Sequence, residues 1–157
     1  MCRRFSQTLM TAVVVAVALA GLTSAQAKNP RIGKWKLKSE APPPAINIMT
    51  YEPFGSGGMK VTVESKNAEG RETKWTYTTM FDGKDEPVVG HPSADTTSVK
   101  KIDERTTEIV NKKAGRVLQI ITNVISEDGK MINNTYKNFD AEGKPTRTTT
   151  AVYERLQ

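Results

Sequence analysis

His91 is the only histidine of this 157-residue chain, and it stands between Gly90 and Pro92 with Asp85 and Asp95 nearby in sequence. An imidazole beside a carboxylate is a general-base arrangement, and an enzyme built on it would turn His91 toward a concave, partly enclosed site. Nucleophilic catalysis asks for more. There is no Gly-x-Ser-x-Gly elbow, the one cysteine is Cys2, and His91 is the only candidate base. One histidine leaves only carboxylates to complete a transition-metal shell. Asp82, Asp85, Glu86 and Asp95 lack the alternating-oxygen spacing of a calcium loop, so solvated turn carboxylates account for them. No pair of acids suited to glycoside hydrolysis stands out either. The residues therefore predict no catalytic residue, no metal and no cofactor, and a non-enzyme.

The beginning of the chain sets an expected compartment. Arg3 and Arg4 precede an apolar run from Leu9 to Leu22, and Ala25-Gln26-Ala27 offers the small residues of a signal-peptidase site. The run is shorter than the roughly 20 residues of a spanning helix, which favours a cleaved export signal over residues 1–27 and no stable membrane anchor. Cys2 lies ahead of the apolar run, so it leaves with the signal and is no lipidation site. The expected mature protein, from Lys28, has no cysteine and no disulfide to lean on, and is periplasmic or secreted. Its length suits one domain, 28–157. The formal charge of +6 drops to +4 without Arg3 and Arg4, and acids remain interleaved with lysines. Neither a recognition helix nor an aromatic ribonucleoprotein motif is present, which excludes nucleic acid as the expected partner.

The elements that must carry any site are strands. Gly57-Gly58, Glu69-Gly70, Asp82-Gly83, Asp103-Glu104, Ala114-Gly115, Asp128-Gly129 and Glu142-Gly143 punctuate segments rich in Thr, Val, Ile, Tyr and Trp, the signature of antiparallel hairpins. The pattern predicts strands near 33–39, 46–53, 59–66, 71–81, 96–102, 106–113, 116–126, 130–138 and 146–155. Within one of them, Trp75, Tyr77, Thr79 and Phe81 share a side, opposite Lys74, Thr76, Thr78 and Met80. The face pattern of Met59 to Glu64 is ambiguous. No segment carries a 3.6-residue apolar stripe. So many short strands without helices close into a barrel or stack as a sandwich, and local pattern leaves both open.

The two ends carry a resemblance. Gly33-Lys34-Trp35-Lys36-Leu37 and Ala151-Val152-Tyr153-Glu154-Arg155-Leu156 resemble the termini of calycins, the lipocalin-like barrels. The likeness implies an all-β, single antiparallel up-and-down barrel of about 8–10 strands. It further implies that Gly33, Trp35 and Arg155 close the barrel, with the arginine packed across the indole. Fatty-acid-binding proteins have similar ends, and Tyr153 matches their final tyrosine. However, Ala151 stands where they carry an arginine, and Ser39 to Ala45 is too short for their lid helices. The chain also resembles a group of small exported bacterial proteins with G-x-W-K-L near the start, Y-E-R at the end and a central segment matching Asp82 to Thr96.

A barrel of this kind can hold one small ligand. The expected ligand-binding residues are Trp75, Tyr77, Tyr136, Arg147 and Tyr153. By alternation, Arg147, Thr149, Ala151, Tyr153 and Arg155 share a face, so an inward Tyr153 would bring a cationic wall suited to an anionic amphiphile. The expectation is an exported small-ligand-binding protein. The alternative is a packed barrel without ligand, acting as an interaction or inhibitor protein of the cell envelope through a rim loop such as Glu86 to Asp95.

Overall fold

A computed structural model describes residues 29–156. The expected export signal, residues 1–27, lies outside the described residues. Ten antiparallel strands follow one another: β1 Gly33–Leu37, β2 Ile46–Phe54, β3 Gly58–Lys66, β4 Glu72–Thr79, β5 Asp82–Pro87, β6 Thr96–Lys101, β7 Thr106–Lys113, β8 Arg116–Ile125, β9 Met131–Phe139 and β10 Pro145–Arg155. Each pairs with its sequence neighbour except β4 with β5, and β1 pairs with β10, giving the order β4-β3-β2-β1-β10-β9-β8-β7-β6-β5. The sheet rolls into an up-and-down barrel whose one unladdered seam, among the described residues, lies between β4 and β5.

Nine of these strands coincide with alternating segments of the sequence. The tenth, β5, reads Asp-Gly-Lys-Asp-Glu-Pro and is almost wholly exposed. A strand with no buried face leaves no hydrophobic period to detect, and Asp82-Gly83, expected as a turn, instead opens it. In β4 the alternation holds: Tyr77 and Thr79 are buried, Trp75 is half-buried, and Lys74 points to solvent. Met59, Val61 and Val63 are all buried on one face, which resolves the ambiguity of β3.

Packing begins at Trp35, which is 0% exposed and belongs to a core containing Met49, Tyr51, Met59, Val61, Val63, Tyr77, Val99, Ile121, Ile125, Ile132 and Tyr153. Register explains the end of the chain. β1 reaches only as far as Leu37 opposite Tyr153, and the last bond on that side runs from Lys38 N to the Val152 carbonyl, 2.8 Å. The first half of β10 therefore has a partner on β9 alone. It also carries a register shift between Pro145 and Thr148, and residues 145–150 are all exposed.

The seam between β4 and β5 is closed by the β5–β6 connection. Thr76 and Val89 exchange two backbone hydrogen bonds, 2.9 and 3.0 Å. Gly90 follows with φ of 82°, and a Cβ there would sit 2.4 Å from the Lys74 carbonyl oxygen. Only glycine lets the loop lie this close against β4.

Candidate functional site

Inside the barrel the side chains leave a cavity of about 190 Å³. One wall comes from β2, β3 and β4, with Met49, Tyr51, Val61, Val63, Trp75 and Tyr77. Strands β7, β8 and β9 supply the other, with Ile109 and Ile121 beside Asn111, Gln119, Asn134 and Tyr136. Tyr153 enters from β10, His91 from the loop over the seam, and Asn47 from the start of β2. The Trp75 and Tyr77 rings lie nearly parallel, 6.0 Å apart between centroids.

The polar wall is paired within itself. Thr97 Oγ1 donates to Asn111 Oδ1 (2.9 Å), Asn111 Nδ2 to Gln119 Oε1 (3.2 Å), and Gln119 Nε2 to Asn138 Oδ1 (2.8 Å). A second chain runs deeper. Arg31 Nε donates to Asn123 Oδ1 (3.0 Å), Asn123 Nδ2 to Asn134 Oδ1 (2.8 Å), and Asn134 Nδ2 to the Tyr136 hydroxyl (3.0 Å). Such cross-strand amide ladders remove the cost of burying polar groups. Among the described residues one buried side-chain polar atom has no partner: Oδ1 of Asn47.

The lining is uncharged. Burial, the largest cause in each case, pushes the hydroxyls of Tyr51, Tyr77 and Tyr153 well above the ordinary tyrosine range, so all three are neutral phenols at neutral pH. Burial likewise holds the His91 imidazole below its ordinary value. Its ring meets Trp75 edge-on at 4.9 Å, and its Nδ1 accepts from the backbone N–H groups of Ala94 (2.9 Å) and Ser93 (3.1 Å). In the neutral ring Nε2 then carries the proton.

Four of the five residues expected to bind a ligand, Trp75, Tyr77, Tyr136 and Tyr153, come together on this cavity, and Arg147 does not. Arg147 is exposed on the unsupported half of β10, beyond the register shift, where simple alternation from Tyr153 fails. The cationic wall is therefore absent from the lining, and with it the basis for an anionic amphiphile. His91 does face the enclosed space, but the carboxylates near it in sequence are engaged elsewhere. Asp85 pairs with Lys112 at 2.7 Å, and Asp95 accepts from Ala114 N at 3.0 Å. Asn47, Asn111, Gln119 and Asn134 were not expected. Asparagine is uncommon in strands and gives no hydrophobic signal, although the spacing Asn47, Met49, Tyr51 marks one face of β2.

Gly33, Trp35 and Arg155 meet at the closed end. Arg155 lies directly opposite Trp35 in register, with its guanidinium carbon 4.1 Å from the centroid of the indole. Its Nε donates to the Gly129 carbonyl (2.8 Å) and an Nη to that of Ile32 (2.9 Å). A Cβ on Gly33 would stand 2.7 Å from the same guanidinium. The indole Nε1 donates to the Arg31 carbonyl at 2.8 Å.

Among solved structures, the wild-type fluorescent protein UnaG matches with a TM-score of 0.54 and 14% identity, covering 80% of this chain and 97% of UnaG. An asparagine-to-alanine mutant of UnaG matches with a TM-score of 0.55 and 13% identity, over 82% and 97% of the two chains. The fold is that of a calycin-type barrel. At this identity the likeness is one of architecture alone. No protein-family model and no curated protein sequence matches the chain.

Proposed function

We propose that this protein binds a small molecule inside its barrel and does so outside the cytoplasm, after export. The observation that carries the reading is the cavity itself: about 190 Å³ left open between an aromatic and aliphatic wall and a facing wall that carries Asn111, Gln119, Asn134 and Tyr136. Protein interiors rarely leave spaces much larger than a water molecule, so a void of this size costs stability unless something fills it. The basic, apolar and small-residue pattern of residues 1–27 supports export. The structural neighbours include a protein described as fluorescent, which fits a barrel able to hold a guest.

Binding rather than catalysis is favoured by how His91 is held. Its Nδ1 is occupied by two backbone amides, and Asp85 and Asp95 point to other partners, so that among the described residues no acid or base is paired with it. The alternative, a solid barrel acting on an envelope protein through its rim, draws support from Val89, 67% exposed on the loop that seals the seam.

Native mass spectrometry of the protein recovered from its own cells tests the proposal. A small-molecule adduct that survives desalting and is lost on unfolding is the expected result. Repeated recovery of the bare polypeptide, together with no uptake of any small aromatic probe, contradicts it.

A further inference from the structure

We infer that the cavity takes a compact, uncharged ring compound by its hydrogen-bond acceptor, a carbonyl oxygen above all, and that the hydroxyl of Tyr136 is the donor that holds it. This deepens the binding reading above and rests on it.

The direction of one hydrogen-bond chain carries the inference. The chain starts at Arg31, which is 3% exposed and whose guanidinium donates to the Asn123 side chain and to the carbonyls of Arg105 and Asn123. A guanidinium has no acceptor, so Asn123 must turn its Oδ1 toward Arg31 and its Nδ2 away. That Nδ2 donates to Asn134 Oδ1 (2.8 Å), and Asn134 Nδ2 donates to the Tyr136 oxygen (3.0 Å). Neither amide can flip without setting two donors face to face. The Tyr136 oxygen is therefore an acceptor already in use. Its hydrogen must point elsewhere, polarised through two amides by a buried cation.

The groups that the rest of the lining leaves open have the same sense. Asn111 and Gln119 spend their side chains on Thr97, on each other and on Asn138. Tyr51 donates to Met49 Sδ at 3.4 Å. The Tyr153 hydroxyl is held protonated by burial first and by the neighbouring Tyr136 hydroxyl next. At most one hydrogen passes between these two phenols, so the pair still presents one. Tyr77 and the Nε2–H of neutral His91 add further donors on the same cavity. Access separates these groups from Asn47. Its Oδ1 is the one lining amide oxygen without a donor, but it is fully enclosed and out of a guest's reach. The hydroxyls of Tyr77 and Tyr153 are not sealed in this way, and Tyr136 is only partly buried. A guest that brings a lone pair satisfies donors that otherwise stay unmet, and a bare hydrocarbon does not.

Charge and size complete the class. No Arg, Lys, Asp or Glu lines the cavity, so an ionised guest would shed its water with no counter-ion beside it. An apolar cavity of roughly 150 Å³ holds benzene. About 190 Å³ therefore takes one ring with a short substituent, and Trp75 and Tyr77 give that ring an aromatic wall.

The test uses cyclohexanone labelled with ¹³C at its carbonyl, toluene as a ring without an acceptor, and benzoate as a ring with a charge. Binding to the full-length folded protein is followed by NMR shifts of Val61, Ile121 and the Trp75 indole. Cyclohexanone and toluene are expected to bind, and benzoate to bind at least tenfold more weakly than cyclohexanone. The carbonyl carbon of bound cyclohexanone is expected to resonate near its position in an alcohol, where it accepts a hydrogen bond, and away from its position in a hydrocarbon. In Tyr136→Phe that resonance should move toward the hydrocarbon position. The cyclohexanone-to-toluene affinity ratio should fall about tenfold, the worth of one net hydrogen bond. A hydrocarbon-like carbonyl in the wild type, an unchanged ratio in Tyr136→Phe, or benzoate binding as well as cyclohexanone overturns the inference and leaves the binding reading intact. No shift of the reporters with any probe overturns both. Should Tyr136→Phe fail to fold, the wild type decides: an alcohol-like carbonyl with nuclear Overhauser contacts from the ketone to the Tyr136 ring supports the assignment, and bound ketone without those contacts contradicts it.

Discussion

The two ends of the barrel are built on opposite plans. At the closed end every strong group has a partner: Trp35 is fully buried, its N–H is satisfied by the Arg31 carbonyl, and Arg155 spans the indole and the three backbone carbonyls of Gly129, Ile32 and Pro30. At the other end β1 stops early, half of β10 has no partner on that side, the β4–β5 seam is closed by one bridge, and Asn47 keeps an unpaired oxygen. One end ties the first strand to the last, and the other is where the guest of the proposed function would enter. Under the proposed function, stability and binding occupy different ends of one small core.

The contrast predicts that substitutions at the closed end cost the most stability. Trp35→Ala should destabilise by about 3–5 kcal/mol, since it opens a large void and orphans the Arg31 carbonyl. Chemical denaturation measures this. Arg155→Ala should cost about 2–3 kcal/mol through the lost cation–π contact and charge-assisted bonds. Arg155→Lys should recover only part of that, because an ammonium lacks the planar fork. A loss in Arg155→Ala below about 0.5 kcal/mol would mean that the pair contributes no more than an ordinary surface contact.

At the seam, Gly90→Ala should cost about 1–2 kcal/mol from left-handed strain and the close approach to Lys74. Its sharper signature is local. The amides of Thr76 and Val89 should lose hydrogen-exchange protection while those of Trp35 and Ile132 keep theirs. Equal loss everywhere would show that the seam is no separate unit.

The smallest effect is one of pH. Burial lowers the His91 pKa, so folding favours the neutral ring. Its contribution is fully present above the ordinary histidine value of about 6.5 and is lost as pH falls through the lower folded value. Protonation would also place a proton on Nδ1, against two N–H donors. The wild type should therefore lose stability on acidification below about 6.5 more steeply than His91→Gln, as thermal melts across that range would show.

The same contrast explains what could be read from sequence. The closed end was legible because large, distinctive residues mark it: an indole after a glycine near the start and an arginine at the end. The β4 wall was legible because Trp75, Tyr77 and Thr79 alternate cleanly with polar neighbours. Arg147 was misplaced because alternation counts residues, whereas the register shift and the short β1 depend on pairing with distant strands. Strand β5 escaped because an edge strand with two solvated faces has no periodic signal. The amide ladders escaped because Asn and Gln are polar wherever they fall, and only the exact registers of the β7–β8 and β8–β9 hairpins set Asn111 opposite Gln119 and Asn123 opposite Asn134.

The central claim is that the barrel interior holds a space able to accept a guest. A crystal structure of the protein under xenon pressure tests this without knowledge of the natural ligand, since xenon enters apolar cavities of this size. The account predicts a xenon site bounded by Val61, Ile121 and Trp75. A barrel with no xenon inside, in which those side chains have moved together to fill the space, would contradict it.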